Sequence, residues 1–160
     1  MKTRVAKLIL VSFLFALPIG FRLTASLGGS AGTRPWTERQ TVKPAQLAAE
    51  LQQEKDPYPA VVYVGTKVLY QGAHIPGALY FGAGSTPEGI AALQKYAASL
   101  PKNSDVVLYC GCCPLEKCPN LRPAFSAMNE FGFARLRVLL LPTSFNVDWV
   151  EKGYPVQKGS

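Results

Sequence analysis

The stretch Val106-Val107-Leu108-Tyr109-Cys110-Gly111-Cys112-Cys113-Pro114-Leu115-Glu116-Lys117-Cys118-Pro119-Asn120-Leu121-Arg122 decides how the rest of the chain is read. An apolar, β-prone run ends on a cysteine. A loop with three more cysteines follows, and then the start of a helix. All four cysteines of the protein fall within these few positions. A core does not need thiols at that density, so chemistry or cross-linking is the natural expectation. A thiol at the carboxyl end of a buried strand, facing a helix N-terminus, is well placed to ionise, because backbone N–H groups and the helix dipole favour negative charge there.

Outward from this stretch, strand and helix patterns alternate. Upstream, Thr41-Val42 reads as a short edge strand, and Pro44 to Glu54 carries Leu47, Ala48 and Leu51 at helical spacing with Pro44 in the first turn. Ala60 to Val64 has the composition of a buried strand. Gly72 to Ala78 is a turn leading into a strand over Leu79 to Phe81. Ser85-Thr86-Pro87-Glu88 has capping-box spacing and opens a helix bearing Ile90, Leu93, Tyr96, Ala97 and Leu100. Downstream, Asn120 is placed to cap a helix whose apolar side is Leu121, Phe125, Met128 and Phe131, and which Gly132 stops. Leu136 to Leu141 is the last strand, and Asn146 to Lys152 a short final helix. Such alternation predicts an α/β domain with a mostly parallel central sheet and helices on both faces. Ligands of such sheets bind beyond the carboxyl ends of the strands, where Cys110 lies.

The amino-terminal end has a different character. Lys2, Arg4 and Lys7 precede an apolar run from Leu8 to Phe21, which is short for a membrane span and suits the core of a signal peptide. Residues 1–25 are therefore expected to be a signal peptide, with an uncleaved anchor as the alternative. Residues 26–40 read as a linker, and 41–158 as the folded domain. The protein is expected to be exported, periplasmic or secreted, and to meet a membrane only if the leader stays attached. The leader holds four basic residues and no acid. Outside it, 13 basic residues stand against 10 acidic ones, a net of +3 rather than the whole chain's +7. No basic run remains, so nucleic acid is not an expected partner.

Four features, in order, resemble a single rhodanese domain: Ala73-His74-Ile75-Pro76-Gly77-Ala78; the strand ending in Tyr109-Cys110; the loop-to-helix passage containing Arg122; and Trp149 followed by Gly153-Tyr154-Pro155-Val156. The resemblance runs from about Thr41 to Val156. It implies the rhodanese-like fold and sulfur transfer, in which a donor passes sulfane sulfur to a cysteine thiolate and a nucleophile then accepts it. It makes Cys110 the nucleophile, the backbone from Gly111 onward the cradle for the anionic sulfur, and Arg122 the guanidinium that holds an anionic donor. The expected partners are a small sulfur-containing anion or thiol acceptor and a thiol–disulfide reductant protein, with no cofactor. The family's loop is shorter, with its arginine five positions after the cysteine; here Arg122 comes twelve after Cys110. Tyr63-Val64-Gly65 stands where the family has Asp-x-Arg, and Thr143-Ser144 where it has Gly-Gly. His74, Trp149 and Tyr154 are expected to be structural.

The four thiols admit three arrangements. Cys110 is free while two of Cys112, Cys113 and Cys118 form a disulfide, the third being left to resolve a modified Cys110. Alternatively, two disulfides staple the loop and leave a non-catalytic binding or structural domain. In the third arrangement, Cys110, Cys112, Cys113 and Cys118 bind a metal such as zinc or an iron–sulfur cluster. An oxidising compartment favours disulfides, with Cys112 or Cys113 bridged to Cys118. Adjacent cysteines such as Cys112 and Cys113 tend to point apart, which weighs against the metal.

Overall fold

The computed structural model describes residues 34–53 and 58–159. The expected signal peptide at 1–25 and most of the expected linker lie outside the described residues. Five strands form one parallel sheet: β1 (Thr41–Val42), β2 (Ala60–Tyr63), β3 (Leu79–Tyr80), β4 (Asp105–Tyr109) and β5 (Arg135–Leu139), in the spatial order β1-β5-β4-β2-β3. The helices α1 (Pro44–Gln52), α2 (Lys67–Gly72), α3 (Pro87–Ser99) and α4 (Leu121–Asn129) connect them, and a one-turn π-helix (Asn146–Val150) follows β5.

The two-residue period of the central strands sorts the core into two layers. On one face, Val62, Val64, Val106, Leu108, Cys110, Leu136 and Val138 meet Leu93 and Ala97 of α3 and Leu121, Phe125 and Met128 of α4. On the other, Val61, Tyr63, Val107, Tyr109 and Leu139 meet Leu47 and Ala48 of α1 together with Phe145 and Trp149. Strand β4 is buried along its whole length, as expected of a central strand covered on both sides. Fully burying residues such as Phe125, Met128 and Leu93 stabilises the fold by about 1.5–3 kcal/mol each.

Local chemistry fixes the start of α3. Thr86, rather than Ser85, is the N-cap of α3, its hydroxyl accepting the Gly89 N–H at 3.1 Å. Asn120 precedes α4 without capping it through its side chain; the amide is engaged elsewhere. Helix α2 has no counterpart in the sequence pattern, because none of its six residues is buried and Val68 and Leu69 are exposed. Trp36, inside the stretch read as a linker, is buried and meets the Phe125 ring edge-on at 5.5 Å, so packing against the domain begins ahead of β1.

The residues expected to be structural are so. His74 stacks on Tyr70 at 3.9 Å, its Nδ1 lies 2.7 Å from the Tyr70 carbonyl, and its backbone pairs with Gln157 in both directions. Trp149 is fully buried and donates to the Pro155 carbonyl at 2.9 Å. At the amino end of β4, Asp105 is buried and accepts from Arg137 at 3.0 and 2.7 Å, while Arg137 also reaches Glu50 of α1 at 3.1 and 2.8 Å. Burial alone would push the Glu50 carboxyl up. The hydrogen bonds and charge of Arg137 outweigh it and hold the group below its ordinary value.

Candidate active site

Strand β4 delivers Cys110 to the carboxyl edge of the sheet, on the face covered by α4, and buries it. Gly111 then turns the chain with φ at +81°, a conformation that L side chains rarely adopt. It also lies against Phe145: a Cβ added at Gly111 would stand 2.5 Å from the Phe145 Cβ, and the Phe145 N–H donates to the Gly111 carbonyl at 3.0 Å. The loop folds back through a single 3-10 turn, Leu115–Lys117, whose Glu116 forms an ion pair with Arg34. Leu115 is buried and anchors this turn in the core beneath α4.

The result is a cluster of sulfurs. The Sγ atoms of Cys110, Cys112 and Cys118 all lie within 4.8 Å of one another. Cys110 and Cys112 are 3.2 Å apart, and Cys112 and Cys113 3.3 Å. The adjacent pair therefore does not point apart as expected; the turn after Gly111 brings both side chains to the same side. All four cysteines are free thiols, so the expected bridge from Cys112 or Cys113 to Cys118 is not formed in this structure.

The position that favours a thiolate belongs to Cys118 rather than Cys110. The Cys118 sulfur lies within 4.8 Å of the Cys110 thiol, whose closeness is the first influence favouring charge on it. Burial works against its ionisation, but the backbone N–H groups of Asn120 and Leu121 at the start of α4 also stabilise its charge, and its pKa falls to about 6. Cys110 carries the complementary shift. The Cys118 sulfur beside it and its burial push it well above the ordinary thiol range. Burial, followed by the Cys112 sulfur, raises Cys113 to about 12. The cluster thus holds one negative charge most readily at Cys118.

Two residues that the motifs did not single out complete the site. Asn120 is buried, with its Nδ2 3.7 Å from the Cys110 sulfur and 3.9 Å from that of Cys112, while its Oδ1 accepts the Ser85 N–H at 3.1 Å. Tyr63 brings a buried hydroxyl that has no hydrogen-bond partner among the described residues. Burial first, and then the Cys110 and Cys112 sulfurs, raise its pKa, so it stays a donor. Gly65 makes room for it: a Cβ there would stand 2.2 Å from the Tyr63 hydroxyl and 3.0 Å from the Cys110 sulfur. The only sequence signal for Tyr63 was its place in the segment where the family has Asp-x-Arg.

A cavity of about 450 Å³ opens onto these groups. Tyr63, Cys110, Gly111 and Cys112 line its inner wall, and Val68, Leu69, Phe145 and Val150 are its main apolar surface. Among the described residues, neither lysine nor arginine lines the cavity. Arg122, the expected anion ligand, is turned elsewhere and donates to the Glu116 carbonyl at 3.2 Å. Of the expected site residues, the fold therefore brings Cys110, Gly111 and Cys112 to the cavity, with Cys113 beside Cys112, and leaves Cys118 and Arg122 outside the lining.

With this geometry in hand, known structures show where the architecture recurs. The chain is similar to the BH2092 protein of Bacillus halodurans (20% identity, 75% of this chain and 77% of that one, TM-score 0.58). It is similar to the rhodanese-like domain of the Alr3790 protein of Anabaena sp. (21% identity, 74% and 79%, TM-score 0.53). A thiosulfate sulfurtransferase from Pseudomonas aeruginosa matches at 22% identity over 79% of this chain, which spans 20% of that protein, with a TM-score of 0.54. No protein-family profile matches the chain, and no curated protein matches its sequence. The fold is the rhodanese-like one: a single parallel α/β domain. Within it, a cysteine cluster stands at the carboxyl end of the central strand.

Proposed function

We propose that this protein is an exported sulfurtransferase that carries sulfane sulfur as a persulfide on Cys110. The observation that carries this reading is that Cys110 lines the cavity while the Cys118 sulfur, outside the lining, lies within 4.8 Å of its own. The Cys118 thiolate takes the Cys110 proton as donor sulfur approaches. The Cys110 sulfur attacks the outer sulfur of the donor; that S–S bond forms, the donor's own S–S bond breaks, and the leaving thiolate departs with its electron pair. The Tyr63 hydroxyl and the Asn120 amide are the donors available to the charge left on the persulfide. A thiol acceptor then removes the outer sulfur and restores Cys110. A wall without lysine or arginine among its described residues suits an organic persulfide better than a strongly hydrated oxyanion such as thiosulfate. A thiol–disulfide reductant protein would keep the cluster reduced in an oxidising compartment. Export rests on Lys2, Arg4 and Lys7 ahead of the apolar run 8–21; a reporter fused to residues 1–31 tests it by crossing the membrane or remaining in the cytosol.

The test of the chemistry is intact-mass spectrometry of the reduced protein after exposure to an alkyl persulfide or to thiosulfate. The native chain should gain one sulfur atom, more completely from the persulfide. Cys110→Ser should gain none while keeping its circular-dichroism spectrum. Full loading of Cys110→Ser, with the added mass on another cysteine, would overturn the assignment.

A further inference from the structure

We infer that Cys110, Cys112 and Cys118 form a binding site for one thiophilic monovalent ion, Cu(I), separate in its requirements from the sulfur-transfer reading above. Three thiolates about 2.3 Å from a common ion stand about 3.8–4.0 Å apart. The three sulfurs here already lie within 4.8 Å of one another, the nearest pair at 3.2 Å. The fold therefore needs only small side-chain adjustments to close them on an ion.

The donor set selects the ion. Among the described residues, no histidine or carboxylate belongs to this group of sulfurs, and soft thiolates without harder ligands select soft metals. Cu(I) is satisfied by three thiolates, whereas structural Zn²⁺ takes four ligands. The fourth sulfur, on Cys113, touches Cys112 at 3.3 Å but is not in the mutually close group. Burial points the same way. Cys110 and Cys118 are buried and Cys112 half-buried, which suits an ion that needs no water ligand.

The surroundings also fit a charged metal–thiolate centre. Asn120 lies within 3.7 and 3.9 Å of two of the sulfurs and is fixed from behind by the Ser85 N–H. It would orient Cys110 and Cys112 and stabilise their charge in the way that outer-shell donors support metal ligands. The Tyr63 hydroxyl, buried and unpartnered among the described residues, is a second such donor. Binding releases the protons of the coordinating thiols to solvent, so no oxidant or reductant is consumed.

The experiment is an anaerobic titration of the reduced, metal-free full chain with Cu(I) in competition with a coloured Cu(I) chelator, followed by X-ray absorption of the loaded protein. One Cu(I) per chain with a shell of three sulfur scatterers is expected. Cys110→Ser, Cys112→Ser and Cys118→Ser should each weaken binding by more than the roughly 10–100-fold typical of outer-shell losses, Asn120→Ala should fall within that range, and Cys113→Ser should leave affinity unchanged. Failure to compete with the chelator would overturn the inference. So would equal loss in Cys113→Ser, or a preference for Zn²⁺ that depends on Cys113. Persulfide formation is read separately by mass, so either result stands or falls without the other.

Discussion

The two ends of β4 solve the same problem in opposite ways. Each buries groups that ionise. At the amino end, Asp105 is surrounded by complementary charge: Arg137 spans it and Glu50, and Arg135 reaches it at 2.9 Å. At the carboxyl end, Cys110 has no cation among the described residues lining its cavity. Its neighbours are other sulfurs, one amide and one tyrosine. The first arrangement has every charge matched and is inert. The second holds a single negative charge among several thiols, with a cavity in front of it. The proposed reactivity is assigned to the end where compensation is incomplete.

This contrast predicts how each end responds when broken. Arg137→Leu removes the partner of a buried carboxylate, and a loss of about 3–5 kcal/mol is expected by denaturant unfolding. Cys110→Ser, one strand-length away, should stay within about 1 kcal/mol of the native chain, since a serine hydroxyl can still bond within the cluster. If the serine variant proves as destabilised as the arginine variant, the thiol end is holding the fold together and the comparison fails.

The next effect is smaller and concerns the chain rather than the charges. Gly111→Ala places a Cβ at a positive φ and against Phe145. A cost of about 1–3 kcal/mol is expected from the strained backbone, together with displacement of the sulfurs that follow. Thermal denaturation beside sulfur loading checks this, because loading should fall further than stability.

The acid response sharpens the amino end. The Glu50 carboxyl is held below its ordinary value, so its contribution to stability is complete above the ordinary carboxylate range. It is lost as pH falls through the depressed value. Unfolding midpoints measured across acidic pH should show that loss in the native chain and a flatter profile in Glu50→Gln. The smallest effect belongs to Arg122→Ala, which removes a bond to the Glu116 carbonyl. About 0.5–1.5 kcal/mol of stability is at stake, with sulfur loading nearly unchanged. A large loss of loading would return Arg122 to the donor site.

The architecture was largely legible in the sequence because period-two burial and helical spacing are read from neighbouring residues. Strand β4 and the apolar side of α4 followed from such patterns, while the structural role of His74 followed from the resemblance of its turn to the rhodanese one. Of the site, the sequence made legible the place of Cys110, Gly111 and Cys112 at the carboxyl end of β4. Which sulfur faces the backbone N–H groups of α4 depends on how a long loop returns to the helix, and spacing does not fix that path. Asn120 reads as a cap in sequence and serves the sulfurs in space. Tyr63 reads as one more β-prone core residue, and its lone hydroxyl emerges only once Gly65 and Cys110 are seen beside it. Helix α2 has no fully buried residue, only the half-buried Tyr70, and so left no periodic trace.

The Asn120 side chain has a further consequence. One end touches two sulfurs and the other accepts the Ser85 N–H, which lies in the connection between β3 and α3. An amide polarised at one end changes its pull at the other. The Ser85 amide resonance of an isotope-labelled sample is thus a native indicator dye for the loop: it should move when Cys110 gains a sulfur atom, and lose that sensitivity in Asn120→Ala, with no probe attached to any thiol.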